Sequence, residues 1–121
     1  LSAMAVIRVL IVDDCHDDAE LTELTLREAG ILVECRRLYR EDALREALAG
    51  FDPHLVVCDV NLPGYSGREA RALVLAHAPQ ARFVFMTGAL AGDEVLPVAD
   101  GVLLKDDLAR LPALVRELLP H

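Results

Sequence analysis

The sequence contains one lysine, Lys105, against eleven arginines, and it has no CxxC pair and no long apolar run. Each shortage excludes something. Without about 18 consecutive apolar residues there is no membrane-spanning helix. With a formal net charge of -8 the chain lacks the basic face that non-specific nucleic-acid binding needs. That does not bear on a nucleic-acid-binding domain elsewhere in a longer natural chain. Cys15, Cys35 and Cys58 are odd in number and widely spaced, so they read as reduced thiols of a cytoplasmic protein, not as a disulfide framework or a zinc site. The start lacks a basic stretch followed by an apolar core, so no signal peptide is read. Leu1-Ser2-Ala3 reads as a cloning scar before a native start at Met4, and residues 4–121 as a single domain. Surface charge alone does not call for a lone lysine inside an apolar segment. Lys105 invites a chemical explanation.

What is present alternates. Five apolar segments have strand character: Val6 to Val12, Leu32 to Leu38, Leu55 to Cys58, Phe83 to Met86 and Val102 to Leu104. The first, third and fourth are nearly continuous, as expected for parallel strands covered on both faces. Helical patterns fall between them. Asp17 and Glu20 form a D-x-x-E capping pattern before Leu21 and Leu24, and Gly30 stops that helix. Glu41 to Ala49 and Ser66 to Ala76 are two more. The last carries Leu111, Leu114, Val115 and Leu118, with Pro112 suited to a first helical position. Such alternation predicts right-handed βαβ units on one parallel sheet. Between the fourth and fifth strands, two glycines and Pro97 leave room for only a short or irregular helix.

Polar residues stand where strands end. The first strand runs into Asp13-Asp14 and the third into Asp59; the fourth ends at Thr87 and the fifth at Lys105. Ligands of open α/β sheets bind outside the carboxyl ends of the strands. Each residue also has a plainer role. Either Asp13 or Asp14 alone serves as an N-cap, although Asp17 is better placed. Asp59, before Asn61-Leu62-Pro63-Gly64, serves equally as a turn residue. Thr87 alone is structural, and Lys105 before Asp106 and Asp107 is a surface ion pair of little value. The four plain roles would have to coincide at one sheet edge. That coincidence is rejected.

Three carboxylates converging on one crevice repel one another unless a cation joins them. An all-oxygen donor set suits a hard ion, Mg²⁺ most naturally, with Mn²⁺ as a substitute. A metal, an ammonium and a hydroxyl around a carboxylate form a place for a phosphoryl group, and Asp can form an acyl phosphate.

Val12-Asp13-Asp14, Val57 to Gly64, Met86-Thr87-Gly88 and Leu104-Lys105 together resemble the motifs of two-component response-regulator receiver domains, in order and spacing, from about Val6 to Leu119. The resemblance implies a flavodoxin-like (βα)5 three-layer sandwich with a five-stranded parallel sheet in the order 2-1-3-4-5. It implies that Asp59 accepts a phosphoryl group from a histidine kinase or histidine phosphotransfer domain in bacterial signalling, with no separate substrate turned over. Asp14, Asp59 and the backbone carbonyl of Asn61 would hold Mg²⁺, Asp13 acting through a metal-bound water. Thr87 and Lys105 would contact the phosphoryl oxygens and carry the switch, and a homodimer or a downstream effector domain would read it.

The chain departs from the family pattern at the output end. Val102 stands at the switch position, where an aromatic residue is common. The interval from Thr87 to Lys105 is about one helical turn short. Asp106 replaces a frequent proline after the lysine, so a trans bond is expected. These changes predict signalling through a surface other than the usual fourth-helix, fifth-strand, fifth-helix face. Ala89, two residues after Thr87, cannot position an attacking water, which predicts no fast self-dephosphorylation assisted from there. His16 reads as the exposed start of the first helix and Cys58 as buried strand packing. Two rival readings stand beside this one. A haloacid-dehalogenase-type phosphatase needs an Asp where Asn61 stands, and more chain for a cap. A phosphate-independent pseudo-receiver would have lost acceptor or metal carboxylates, and all are present.

Overall fold

The computed structural model describes residues 5–88 and 98–119. The apolar runs form its centre. In β1 (Ile7–Val12), β3 (Leu55–Asp59) and β6 (Arg82–Thr87) every residue but Arg8 and Arg82 is buried. β2 (Val33–Leu38) and β7 (Gly101–Leu104) flank them, giving a parallel five-stranded sheet in the order β2-β1-β3-β6-β7. Counted by sheet strands, this is the expected 2-1-3-4-5 order.

Alternation along each strand divides the core in two. Leu10, Val12, Val56, Cys58, Phe83 and Phe85 face α2 (Glu41–Gly50) and α3 (Gly67–His77). Val9, Ile11, Leu55, Val57, Val84 and Met86 face α1 (His16–Glu28) and α4 (Leu111–Leu118). The result is the three-layer sandwich. Burying each side chain of this size stabilises the fold by roughly 1.5–3 kcal/mol. The expected short or irregular helix before β7 falls mainly on residues 89–97, outside the described residues, as does Ala89.

Local structure corrects one expectation and adds two elements. Asp17 does not cap α1: Cys15 is the N-cap residue, no side chain caps it, and the helix already begins at His16. The segment after Asp59 is more than a turn, because β4 (Asn61–Leu62) and β5 (Tyr65–Ser66) pair antiparallel around Gly64, whose φ is 67°. Between β7 and α4 the chain makes a 3₁₀ segment over Lys105–Arg110, which the apolar periodicity does not reveal. Pro112 then falls in the first turn of α4.

Other boundaries follow their sequence signals. Gly30, at φ 85°, ends α1: its N–H donates to the Arg27 carbonyl and that of Ile31 to the Leu26 carbonyl. Ser66 caps α3, its Oγ accepting the Glu69 N–H at 3.0 Å. The described peptide bonds are trans, including Lys105–Asp106. From α4, Arg116 donates to the Ala29 carbonyl at the end of α1. Arg71 on α3 lies over the Phe83 ring at 5.0 Å and donates to the Val98 carbonyl at 2.9 Å, anchoring the chain that leads into β7.

Candidate acidic site at the carboxyl edge of the sheet

Strand alternation decides where the acids go. Asp13 follows Ile11, and Asp59 follows Val57, by one full pleat, so both stand on the α1 and α4 side of the sheet's carboxyl edge. Both are buried, whereas Asp14 is exposed. One carboxylate oxygen from each of Asp13, Asp14 and Asp59 can be chosen so that all lie within 4.8 Å of one another. Such a cluster can hold a metal ion, and a donor set of carboxylate oxygens alone fits a hard cation.

Lys105, the first residue beyond β7, points its ammonium into this crevice. Its Nζ lies 2.9 Å from Asp59 Oδ2, 2.8 Å from Asp18 Oδ2 and 3.8 Å from Asp13 Oδ2. The surface ion pair with Asp106 or Asp107 is therefore not what Lys105 makes. Burial works to lower the Lys105 ammonium, but its hydrogen bonds to Asp18 and Asp59 outweigh that and hold it above its ordinary value. Its bond to Lys105 in turn holds the Asp18 carboxyl below the usual range. Burial raises the Asp13 carboxyl, against the opposing pull of the Cys15 N–H and Lys105. A buried carboxylate disfavoured in this way gains from a nearby cation.

Backbone groups fix the two buried acids. Asp13 Oδ1 accepts the Cys15 N–H at 2.9 Å, and Asp59 Oδ1 accepts the Asn61 N–H at 2.9 Å. Each carboxylate is thus turned by the chain two residues on, which leaves its Oδ2 facing Lys105. Thr87 closes β6 and is 1% exposed; its neighbour Met86 is the register partner of Asp59. Val102 lies apart, opposite Phe85 in the register of β7 and 44% exposed. Cys58 packs in the core, its thiol pushed up by burial, and His16 is exposed on α1. Below the acids a pocket of about 40 Å³ runs between α1 and the Lys105 segment, with Leu21, Thr22, Met86 and Leu108 in its wall.

Sequence reasoning missed Asp18. It treated the acidic start of α1 as capping chemistry, and Asp18 instead reaches across to Lys105. Only the structure separates the two roles: with Cys15 as N-cap, Asp18 sits at the third helical position, from which its carboxylate reaches Lys105.

A parallel sheet with an acidic crevice and one ammonium at its carboxyl edge defines a narrow class. The response regulator receiver domain family matches residues 9–116. The chain belongs to that family. No curated protein matches it in sequence. Among solved structures it is similar to the BeF3-activated receiver domain of DrrB, at 25% identity and a TM-score of 0.79, over 97% of this chain and 100% of that one. It also resembles the N-terminal domain of a response regulator/sensory box/GGDEF three-domain protein from Carboxydothermus hydrogenoformans, at 24% identity and a TM-score of 0.77, over 93% of each chain. The RcsB response regulator of Salmonella typhimurium shares the fold at 20% identity and a TM-score of 0.72, over 91% of this chain and 58% of that one.

Proposed function

We propose that this receiver domain accepts a phosphoryl group on Asp59 from a histidine kinase or histidine phosphotransfer domain, in a cation-dependent reaction. The observation that carries the reading is the company of Asp59: carboxylate oxygens of Asp13 and Asp14 within 4.8 Å and the Lys105 ammonium at 2.9 Å. An isolated buried acid has no use for both.

A carboxylate oxygen of Asp59 forms the new bond to phosphorus while the bond to the donor's leaving atom breaks. Asp59 is held for this by the Asn61 N–H on one oxygen and by Lys105 on the other. Lys105 offsets negative charge on the transferring group, and Thr87 is taken as a hydroxyl donor to it. Asp14, Asp59 and the Asn61 carbonyl would hold Mg²⁺, or Mn²⁺ in its place, with Asp13 acting through water. When bound, the ion supplies charge neutralisation for the phosphoryl oxygens. Asn61 stands where a phosphatase of the haloacid-dehalogenase type needs an acid, so no separate substrate is turned over. No described helix is long and apolar enough to cross a membrane; we place the domain in the cytoplasm, where its free thiols stay reduced.

Incubation with acetyl phosphate and Mg²⁺, followed by intact-mass measurement, tests the assignment. Wild type gains one phosphoryl mass and Asp59→Asn gains none. Equal labelling of the two proteins would remove Asp59 from the mechanism.

A further inference from the structure

Lys105 is shared in a way the acceptor chemistry does not require. An ammonium has three N–H donors. Two of them go to carboxylates on different elements, Asp59 at the end of β3 and Asp18 in the first turn of α1, at 2.9 and 2.8 Å. Asp18 is not one of the three acids that can converge on a metal. Its side chain is 43% exposed and that of Lys105 30%, so the pair is not a sealed ion pair of the core. Within α1 the Asp18 carboxylate also meets the Cys15 side chain, but its larger partner is Lys105; the Thr22 hydroxyl bonds to the Asp18 main-chain carbonyl. What Asp18 does is place a further full negative charge on the cation that faces Asp59 and Asp13, at the shortest of the three distances.

We propose that Asp18 is a brake on phosphorylation, a positioning residue that holds Lys105 and sets its charge against the phosphoryl group arriving at Asp59. The proposal rests on Asp59 being the acceptor. In the transfer, an Asp59 oxygen bonds to phosphorus and the donor's leaving atom, the imidazole nitrogen of a phosphohistidine or the carboxylate oxygen of acetyl phosphate, departs with the electron pair. The single charge of the Asp59 carboxylate is replaced by a phosphoryl group that approaches two negative charges. Lys105 then has more charge to offset, while Asp18, fixed on a helix, keeps hold of one of its donors and repels the product. The phosphorylated form is disfavoured, and so is the approach to it.

Substitutions separate charge from geometry. Asp18→Asn keeps an oxygen that can accept from Lys105 but removes the charge; Asp18→Ala removes both; Asp18→Glu restores the charge. With acetyl phosphate and Mg²⁺, Asp18→Asn and Asp18→Ala should label on the order of fivefold faster than wild type, as expected for one charge a few ångströms away at a half-exposed site. Half-saturation with beryllofluoride should fall by a similar factor, and Asp18→Glu should follow wild type. Asp17→Asn, the same charge change on a side chain that is 98% exposed, should leave labelling unchanged. Because the chain has one lysine, ¹⁵N-lysine gives a single ammonium signal, which should move in Asp18→Asn and stay in Asp17→Asn.

Labelling of Asp18→Asn at the wild-type rate or below, with wild type itself labelled, overturns the brake and leaves the acceptor assignment standing. Slower labelling of Asp18→Ala alone makes Asp18 only a strut for Lys105, which also overturns it. If neither wild type nor any Asp18 variant takes up phosphoryl mass, the acceptor assignment falls and the brake with it.

Discussion

Lys105 lies within 4 Å of three carboxylates, and the consequence of losing it is larger than for an exposed cation. Lys105→Ala should slow labelling of Asp59 about a hundredfold, the usual scale for removing one group that stabilises developing charge. Lys105→Arg should recover only part of this, because a planar fork does not replace a point ammonium between Asp18 and Asp59. Labelling rates read by intact mass check both. A second residue has a pH signature at the opposite edge of the sheet. His54 accepts the Arg8 N–H on Nδ1 at 2.9 Å, and burial, then the Arg8 charge, depress its pKa below the ordinary 6.5. Neutral His54 is therefore favoured by folding. Its contribution is whole above about pH 6.5 and is lost as pH falls through the lower, folded-state value. Urea midpoints should drop in that window for wild type and drop less for His54→Gln. At this scale much was legible. Asp13, Asp14, Asp59 and Lys105 could be found because each is a polar residue ending an apolar strand, and the structure brings those four together. Asp18 could not, because an acid in a first helical turn looks the same whether it serves the helix or reaches across to another element.

The elements show where apolar pattern informs and where it is silent. The five strands and the four described α-helices follow from periodicity and from Gly30 and Ser66 at helix ends. The β4–β5 hairpin and the Lys105–Arg110 segment do not, because two-residue strands and 3₁₀ turns bury too little to leave a periodic trace. That hairpin matters to the position of Asp59. It returns the chain so that α3 starts against β3's exit, and Gly67 is what lets it. A Cβ at Gly67 would stand 3.1 Å from a Phe85 ring carbon and 3.2 Å from the Val60 Cα. Phe85 is fully buried and Val60 offers backbone, so neither can move far. Gly67→Ala should destabilise the domain by about 1–3 kcal/mol. A lowered urea midpoint with an unchanged slope is the check, and an unchanged midpoint would mean that the hairpin yields more easily than its packing suggests.

For the whole molecule, a net charge of -8 and an acidic crevice make cation binding a source of stability. Mg²⁺ should raise the thermal midpoint. At ten times its dissociation constant the gain is about 1.4 kcal/mol, a rise of roughly 4–7 °C for a domain of this size. Asp14→Asn should blunt the rise and EDTA should reverse it, both readable by calorimetry. The expectation of an unusual output surface belongs here too, since Val102 is exposed on the edge strand β7. With beryllofluoride bound, dimers through the usual fourth-helix, fifth-strand, fifth-helix face would count against it. The order in which the chain is made gives the straps on α1 a further meaning. Lys105 reaches Asp18 near one end of that helix, Arg116 reaches Ala29 at the other, and each bond spans 87 positions. Helix α1 is thus secured by a stretch of chain made 87 positions later. Contacts of such separation are slow to form, because a long loop must close first. Asp13, Asp14 and Asp59 are synthesised well before Lys105, so a partly made domain holds the acids of the crevice without the ammonium that faces them.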